Sequence, residues 1–285
     1  MTTLRPPAPL HTAPLFPRLH AALVELLAAL ALDDWARPTV AGAWRVRDVA
    51  AHLLDGDLRK LAAHRDGHAV APDGPVESYA DVVALIQRLN AGGVAYGARL
   101  SPRLLADLLD VTGRWVSAFV ASLDPDAPAL YPVAWAGEAR SDNRLDTARE
   151  YTERWHHQMQ IRAAVGPRGR PDVLLAPDLL GPLLDTAACA LPHAYRDAAA
   201  PDGTAVTVRV AGDPRSAWTL VRDSGRWRLH AGAPERPDAW AEAAPDVLWR
   251  LYFNALPAGR AREHVAAGGP DALLAPLWQA RAVMV

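Results

Sequence analysis

The sequence has few of the features that mark a disulfide-stabilised, membrane-spanning or nucleic-acid-binding protein. Cys189 is the only cysteine in 285 residues, so neither an internal disulfide nor a thiolate metal cluster can form. No apolar run approaches the roughly 18 residues of a membrane span, and the proline-containing N-terminus lacks the plan of a signal peptide. The net charge is −2 with both signs interspersed, which predicts no surface for nucleic acid. We therefore expect a cytoplasmic protein that binds neither membrane nor nucleic acid.

Apolar residues are plentiful, at 51% of the chain, and their spacing predicts mainly helices in the first part of the sequence. The predicted helices run from Leu15 to about Asp34, Val46 to about His64, Ser78 to about Tyr96, Ser101 to Leu123 and Asn143 to Val165. The clearest helix start is Ser101-Pro102, since serine is a favoured N-cap and proline suits the first helical position. These segments predict a helical bundle.

The pattern changes after Pro171. One helix is predicted from Asp178 to about Tyr195, and two more near the C-terminus, over Asp246–Leu256 and Asp271–Ala282. Between them lie three short alternating segments, at 205–210, 217–221 and 226–230, separated by turn residues, which is typical of an antiparallel meander. The fold class predicted is therefore α+β, mainly α, with a bundle at residues 12–167 and a small C-terminal α/β domain at residues 172–285.

Glu153 and His157 lie in the middle of the longest segment without proline or glycine. Residues four apart on a helix share one face, with β-carbons about 5–6 Å apart, so both side chains can reach one ion. The best third ligand is His52, in the second predicted helix. Two histidines and one carboxylate leave coordination positions open, as in catalytic metal sites. Zn²⁺ suits this set best, and Ni²⁺, Fe²⁺ or Mn²⁺ are alternatives.

Other residues compete for these roles. Glu153 could pair with His156, three positions on, instead of with His157. Asp55 and Asp57 follow His52 closely and could be rival ligands, but a solvated helix face is the simpler interpretation.

Three further interpretations concern residues around or outside the predicted site. Asp48, one turn before His52, could orient the His52 ring or could be an acid favoured by the dipole at the helix start. Cys189 lies in an apolar run and is predicted to be a small buried side chain. The tryptophans at positions 218, 227, 240 and 249 are predicted to lie in the core.

Two segments resemble those of a known family, the DinB-like metalloenzymes, and more narrowly its mycothiol-dependent maleylpyruvate isomerase group. The segment at 44–53, WRVRDVAAHL, resembles the pattern Trp-x-Val-x-Asp-x-x-x-His-Leu. The segment at 153–162, ERWHHQMQIR, resembles the pattern Glu-x-Trp-x-His-x-x-Asp-Ile-Arg. The C-terminal half is similar too, at Trp218-Thr-Leu220, Trp227-Arg-Leu229, Leu248–Leu251, Leu273–Leu277 and Ala282–Met284.

The resemblance implies a four-helix bundle that binds a divalent metal, usually zinc, through His52, Glu153 and His157. It also implies a low-molecular-weight thiol cofactor, of mycothiol or bacillithiol type, whose thiolate attacks a small electrophile. The function predicted is thiol-dependent transfer to, or isomerisation of, such an electrophile, by a monomer or homodimer. The alternatives are a metal-dependent hydrolase using metal-bound water, or a non-catalytic bundle that binds a small molecule or a protein.

The chain departs from the family pattern at two places. Gln160 stands where the family usually has aspartate, which removes a charge one turn beyond His157. We expect altered contacts there, around the metal ligands or with a partner, with the three ligands retained. The segment at 253–255, Phe-Asn-Ala, stands where family members often carry Thr-Gly-Arg, whose arginine assists the isomerase. Arg222, Arg226 and Arg250 are the candidates to replace that arginine.

Overall fold

A computed structural model describes residues 4–72 and 74–284. The chain divides into two compact units. The bundle unit comprises Thr12–Leu130 and Glu150–Leu179, and the sheet unit comprises Met1–His11, Tyr131–Arg149 and Leu180–Val285. The domains predicted from the sequence, residues 12–167 and 172–285, divide the chain differently and remain a prediction.

The bundle unit is built from long helices close to those predicted. They are α1 (Phe16–Ala28), α2 (Val46–Lys60), α3 (Tyr79–Gly97), α4 (Pro102–Ser122), residues 150–164 of α5 (Asn143–Ala164) and the short α6 (Asp172–Leu175). A π-helical turn at Leu61–Arg65 extends α2. The first helix is shorter than predicted, because the chain is extended at Ala31 and a 3-10 turn follows over Leu32–Ala36. The buried Asp34 carboxylate holds this turn by accepting a hydrogen bond from the Ala31 N–H at 3.0 Å.

Four of these helices supply the apolar core of the bundle unit. The buried side chains are Leu23, Leu26 and Leu27 of α1, Val49, Ala50, Leu53 and Leu54 of α2, Leu105 and Leu109 of α4, and Ile161 of α5. The remaining long helix, α3, packs against α2, and Gly97 is its one buried residue. A β-carbon on Gly97 would lie 2.3 Å from that of Ala51, so only glycine allows this close approach. The four-helix bundle is thus confirmed, with α3 on its outside.

The sheet unit contains five strands in the order β3-β2-β1-β4-β5. They are β1 (Ala205–Val210), β2 (Asp213–Asp223), β3 (Arg226–Ala231), β4 (Ala239–Ala243) and β5 (Ala266–Gly268). The predicted meander is confirmed as β1–β2–β3. However, β1 also pairs with β4 in parallel, so the sheet is mixed rather than wholly antiparallel. Sequence reasoning missed β4 and β5 because their alanine- and glycine-rich segments lack the β-branched residues that favour strands.

The helices of the sheet unit are shorter than the sequence predicts. They are α8 (Leu191–Ala194), α9 (Pro245–Tyr252), α10 (Ala258–Ala261) and α11 (Asp271–Leu274), together with residues 180–188 of α7 (Pro177–Ala188). The predicted helix to Ala282 ends at Leu274, since Pro276 has no N–H to continue the ladder. None of the helices in the described part of the chain has both the length and the apolarity needed to cross a membrane. The predicted α+β, mainly α, fold class is confirmed.

Three of the four predicted core tryptophans are buried in the sheet unit: Trp218, Trp227 and Trp249. Each donates its indole N–H to a neighbouring oxygen, at 2.8–3.0 Å. Trp240 is only half-buried, and the guanidinium of Arg209 lies over its ring at 5.0 Å. Its predicted placement in the core is therefore wrong, because burial alternates along β4 and Trp240 lies on the face opposite the buried Ala239, Ala241 and Ala243.

We predict that replacing Ser101 by alanine lowers the free energy of unfolding by about 1 kcal/mol, a usual cost of losing an N-cap. The Ser101 hydroxyl accepts a hydrogen bond from the Leu104 N–H at 3.2 Å at the start of α4. Urea denaturation followed by circular dichroism measures the change. Ser101→Asp, which keeps an acceptor, is the control, and equal stability of the two variants would contradict the assigned cap.

Candidate metal centre

The position of His52 on α2 depends on where that helix begins, and Asp48 fixes its start. The Asp48 carboxylate accepts a hydrogen bond from the Arg45 N–H at 2.9 Å and so satisfies one of the free donors at the helix start. This contact favours the helix-start role of Asp48 over an orienting contact with the ring of His52. One turn later His52 points into the protein, 9% exposed, and its Nδ1 has no hydrogen-bond partner in the part of the chain that the structure describes.

Glu153 and His157 come from the middle of α5 and face His52. The Nε2 atom of His157 lies 3.4 Å from Oε2 of Glu153. One nitrogen or oxygen from each of His52, Glu153 and His157 lies within 4.8 Å of the other two. The structure therefore brings together all three residues that the sequence singled out.

The donor set and its spacing suit a divalent ion. Two ligands held about 2.1 Å from one ion at the tetrahedral angle lie about 3.4 Å apart. The His157–Glu153 separation equals that value. Two imidazoles and one carboxylate are the donors of known catalytic zinc sites, with a further position left for water or substrate. A zinc ion therefore fits these residues.

Burial gives His52 the protonation state that a metal requires. The pKa of His52 is lowered to about 2 by its removal from solvent and by the neighbouring His157. The ring is therefore neutral at pH 7 and keeps a lone pair for a cation. For Glu153, burial raises the pKa, but the close contact with His157 outweighs burial and leaves the pKa below its ordinary value. The site thus offers an ionised carboxylate beside neutral imidazole.

Gln160 holds the His157 ring from the side away from Glu153. Its Oε1 lies 2.8 Å from Nδ1 of His157. An amide oxygen at that distance accepts the Nδ1 proton, which leaves the Nε2 lone pair directed at Glu153 and the ion. The contact expected of Gln160 from the sequence is present, and it comes from a neutral acceptor instead of a carboxylate.

The rival ligands make other contacts, although the ring centroid of His156 lies 3.9 Å from that of His157. His156 is buried, with Nδ1 2.8 Å from the Thr152 carbonyl oxygen, and burial and His157 lower its pKa to about 3. It is not part of the three-residue cluster. Asp55 forms an ion pair with Arg59 at 2.8 Å. Asp57 is 1% exposed, so its placement on a solvated face is wrong.

The residue that sequence reasoning missed at the site is Trp44. Its ring centroid lies 5.0 Å from that of His52 and 6.3 Å from that of His157. The side chain is half-buried and forms an apolar wall beside both imidazoles. Its position as the first residue of the 44–53 segment could have indicated a role at the site. It was not selected because the search followed the spacing of titratable residues, and an indole does not titrate.

The arginines proposed as substitutes for the family's arginine all belong to the sheet unit. Arg250 pairs with Asp246 at 3.0 Å, Arg226 is exposed, and the Arg222 guanidinium lies 5.7 Å from the centre of the Trp227 ring. These contacts do not select one of them, and their catalytic role stays a prediction.

Comparisons with known proteins agree with the resemblance seen in the motifs. The family model described as the mycothiol maleylpyruvate isomerase N-terminal domain matches residues 16–162. A crystal structure of the mycothiol-dependent maleylpyruvate isomerase is similar, with 14% identity, a TM-score of 0.54 and coverage of 90% of this chain and 91% of its own. A crystal structure of a mutant of that isomerase, with a histidine replaced by alanine, is also similar. It shows 12% identity, a TM-score of 0.50 and coverage of 90% of this chain and 91% of its own. At these identities the structures establish the fold. No curated protein matches.

We predict that Gln160→Leu weakens zinc binding about 10- to 100-fold, the usual effect of removing a group that orients a ligating histidine. Gln160→Asp should bind zinc at least as tightly as the wild type, because a carboxylate makes His157 more basic. Competition with a chromophoric chelator measures both affinities. Equal affinity of the Leu variant and the wild type would show that the Gln160 contact has no effect on the site.

Proposed function

The chain belongs to the mycothiol maleylpyruvate isomerase N-terminal domain family, and from this premise we propose that it is a thiol-dependent metalloenzyme. It uses a divalent ion, zinc by preference, and a low-molecular-weight thiol to isomerise a small electrophile or to transfer the thiol to it. The observation that carries the proposal is the convergence of His52, Glu153 and His157 within one 4.8 Å cluster. The family match supports an enzyme over a non-catalytic bundle.

A zinc ion bound there would supply the acidity that deprotonates a coordinated thiol. The protein contributes the charge balance. Two neutral imidazoles and the Glu153 carboxylate leave a divalent ion with a net charge of +1, which favours an anionic thiolate. Trp44 and the burial of His52 limit the access of water to the ligands.

The chain's own thiol is poorly suited to the chemistry. Cys189 belongs to the sheet unit. The sequence predicted a buried side chain at this position, and the structure shows a half-buried one. Burial and the nearby Asp185 raise its pKa to about 12, which keeps it protonated at neutral pH. An unionised thiol is a weak nucleophile. A cofactor thiol therefore supplies the nucleophile in the proposed reaction.

Mycothiol is the first thiol to test because the matched family is named for it; bacillithiol is the second. The substrate is proposed only as a small electrophile, since the segment at 253–255 lacks the arginine that assists the isomerase in the family. A cytoplasmic location, and a monomer or homodimer, complete the proposal.

The test compares zinc-loaded wild type with a Glu153→Ala/His157→Ala variant. We expect about one equivalent of tightly held zinc in the wild type, as for a three-ligand catalytic site, and almost none in the variant. Metal analysis after gel filtration gives the zinc content. Mycothiol-dependent loss of maleylpyruvate, or of related unsaturated acids, gives the activity. The matched control is Glu263→Ala/His264→Ala, which removes an exposed glutamate and histidine from the sheet unit.

The outcomes separate the three candidate functions. Zinc binding with thiol-dependent turnover, both lost in the site variant only, supports the proposal. Zinc binding with turnover that needs no thiol supports the metal-dependent hydrolase. A wild type that retains no zinc contradicts both enzymes and leaves a non-catalytic binding bundle.

A further inference from the structure

A second polar cluster lies inside the bundle unit, and the proposed chemistry does not use it. The Arg154 guanidinium donates a hydrogen bond to the Asp57 carboxylate, and its Nε lies 3.3 Å from Oε1 of Glu150. The Thr112 hydroxyl donates to the other Asp57 oxygen at 2.7 Å. All four residues are less than a tenth exposed. Buried charges are costly unless they are paired and hydrogen-bonded, and even a paired set is often no more stabilising than apolar residues of similar size. Net stability alone therefore does not explain this cluster.

The cluster joins the four helices of the core. Asp57 lies on α2, Thr112 on α4, and Arg154 and Glu150 on α5. The guanidinium also lies over the ring of Phe16, at the start of α1, at 5.7 Å from its centre. Arg154 therefore contacts residues of α1, α2 and α5, and Asp57 links the cluster to α4 through Thr112.

Two of these helices, α2 and α5, also carry the metal ligands, at positions close in sequence to the cluster. Asp57 follows His52 by five residues on α2, which is about 7–8 Å of helix. Arg154 is adjacent to Glu153 and precedes His157 by three residues on α5. The Asp57–Arg154 contact is thus a bridge between α2 and α5 within two turns of all three ligands.

A contact of this kind contributes more to register than to net stability. Apolar residues of similar size can replace a buried ion pair at little or no cost, whereas the charged pair tolerates few alternative alignments. Sliding α2 along α5 by one residue displaces a ligand by about 1.5 Å. Metal–ligand distances tolerate only about 0.2 Å. A small error in the alignment of the two helices would therefore misplace the ligands.

We propose that Asp57 and Arg154 are a positioning pair: they fix α2 against α5 and so set the placement of His52 relative to Glu153 and His157. The inference rests on the proposed function, because metal binding reports the ligand placement. Neither residue contacts the ion or the substrate.

The test replaces the charged cluster by an apolar one. The Asp57→Leu/Glu150→Gln/Arg154→Met variant removes the charges together, so that none is left buried without a partner. We expect the metal-free variant to remain helical with a thermal midpoint equal to or above that of the wild type. Its affinity for Co²⁺ and Zn²⁺ should fall about 10- to 100-fold, and the visible absorption spectrum of bound Co²⁺ should change.

Arg162→Met is the matched control. Arg162 is a second buried arginine on α5, and it donates to the carbonyl oxygens of Arg170 and Ala22 instead of to a carboxylate on α2. Its loss should lower the thermal midpoint without changing the Co²⁺ spectrum. A positioning role therefore predicts a changed Co²⁺ spectrum with an unchanged or higher thermal midpoint. A purely stabilising role predicts a lower thermal midpoint with an unchanged spectrum.

The results separate this inference from the proposed function. Wild-type protein that binds no Co²⁺ overturns both. A stable triple variant with wild-type Co²⁺ affinity and spectrum overturns the positioning role alone. If the triple variant does not fold, Arg154→Lys decides, because it keeps the charge and loses the planar fork. A shifted spectrum for that variant supports the role, and an unchanged one overturns it.

Discussion

The alignment of α2 with α5 is the constraint on which the rest of this structure depends. His52 is on one helix, and Glu153 and His157 are on the other, so no feature of either helix alone can form the site. The core leucines bring the helices together, Gly97 admits the outer helix α3 against α2, and the Asp57–Arg154 pair gives the contact between α2 and α5 a preferred register. The buried cluster and the candidate metal centre are thus two consequences of one helix pair.

Electrostatics then decide what the site can do. Burial keeps His52 neutral, and the contact with His157 keeps the pKa of Glu153 below its ordinary value, so the ligand set carries a single negative charge. Gln160 orients His157 without adding a second charge. A divalent ion bound by this set retains a positive charge, which suits an anionic sulfur ligand. The chain has no ionised thiol of its own, since the pKa of Cys189 is raised to about 12.

Local patterns predicted much of this fold, and contacts between distant residues account for what was missed. The Ser101 cap, the limits of α3 and α5 and the pairing of Glu153 with His157 depend on residues a few positions apart, so the sequence shows them directly. Selecting His52 needed the family resemblance as well. The burial of Asp57 could not be predicted, because its partner Arg154 lies 97 positions away. Likewise β4 is a strand because β1 lies beside it, which its own alanine-rich sequence does not indicate.

Zinc K-edge X-ray absorption of the zinc-loaded protein, recorded with and without mycothiol, tests the central claim most directly. Ligation by two histidines and one carboxylate predicts nitrogen and oxygen scatterers at about 2.0–2.2 Å, with one sulfur at about 2.3 Å appearing only when the thiol is present. A shell of nitrogen and oxygen alone that the thiol leaves unchanged would contradict the proposed thiol-dependent chemistry.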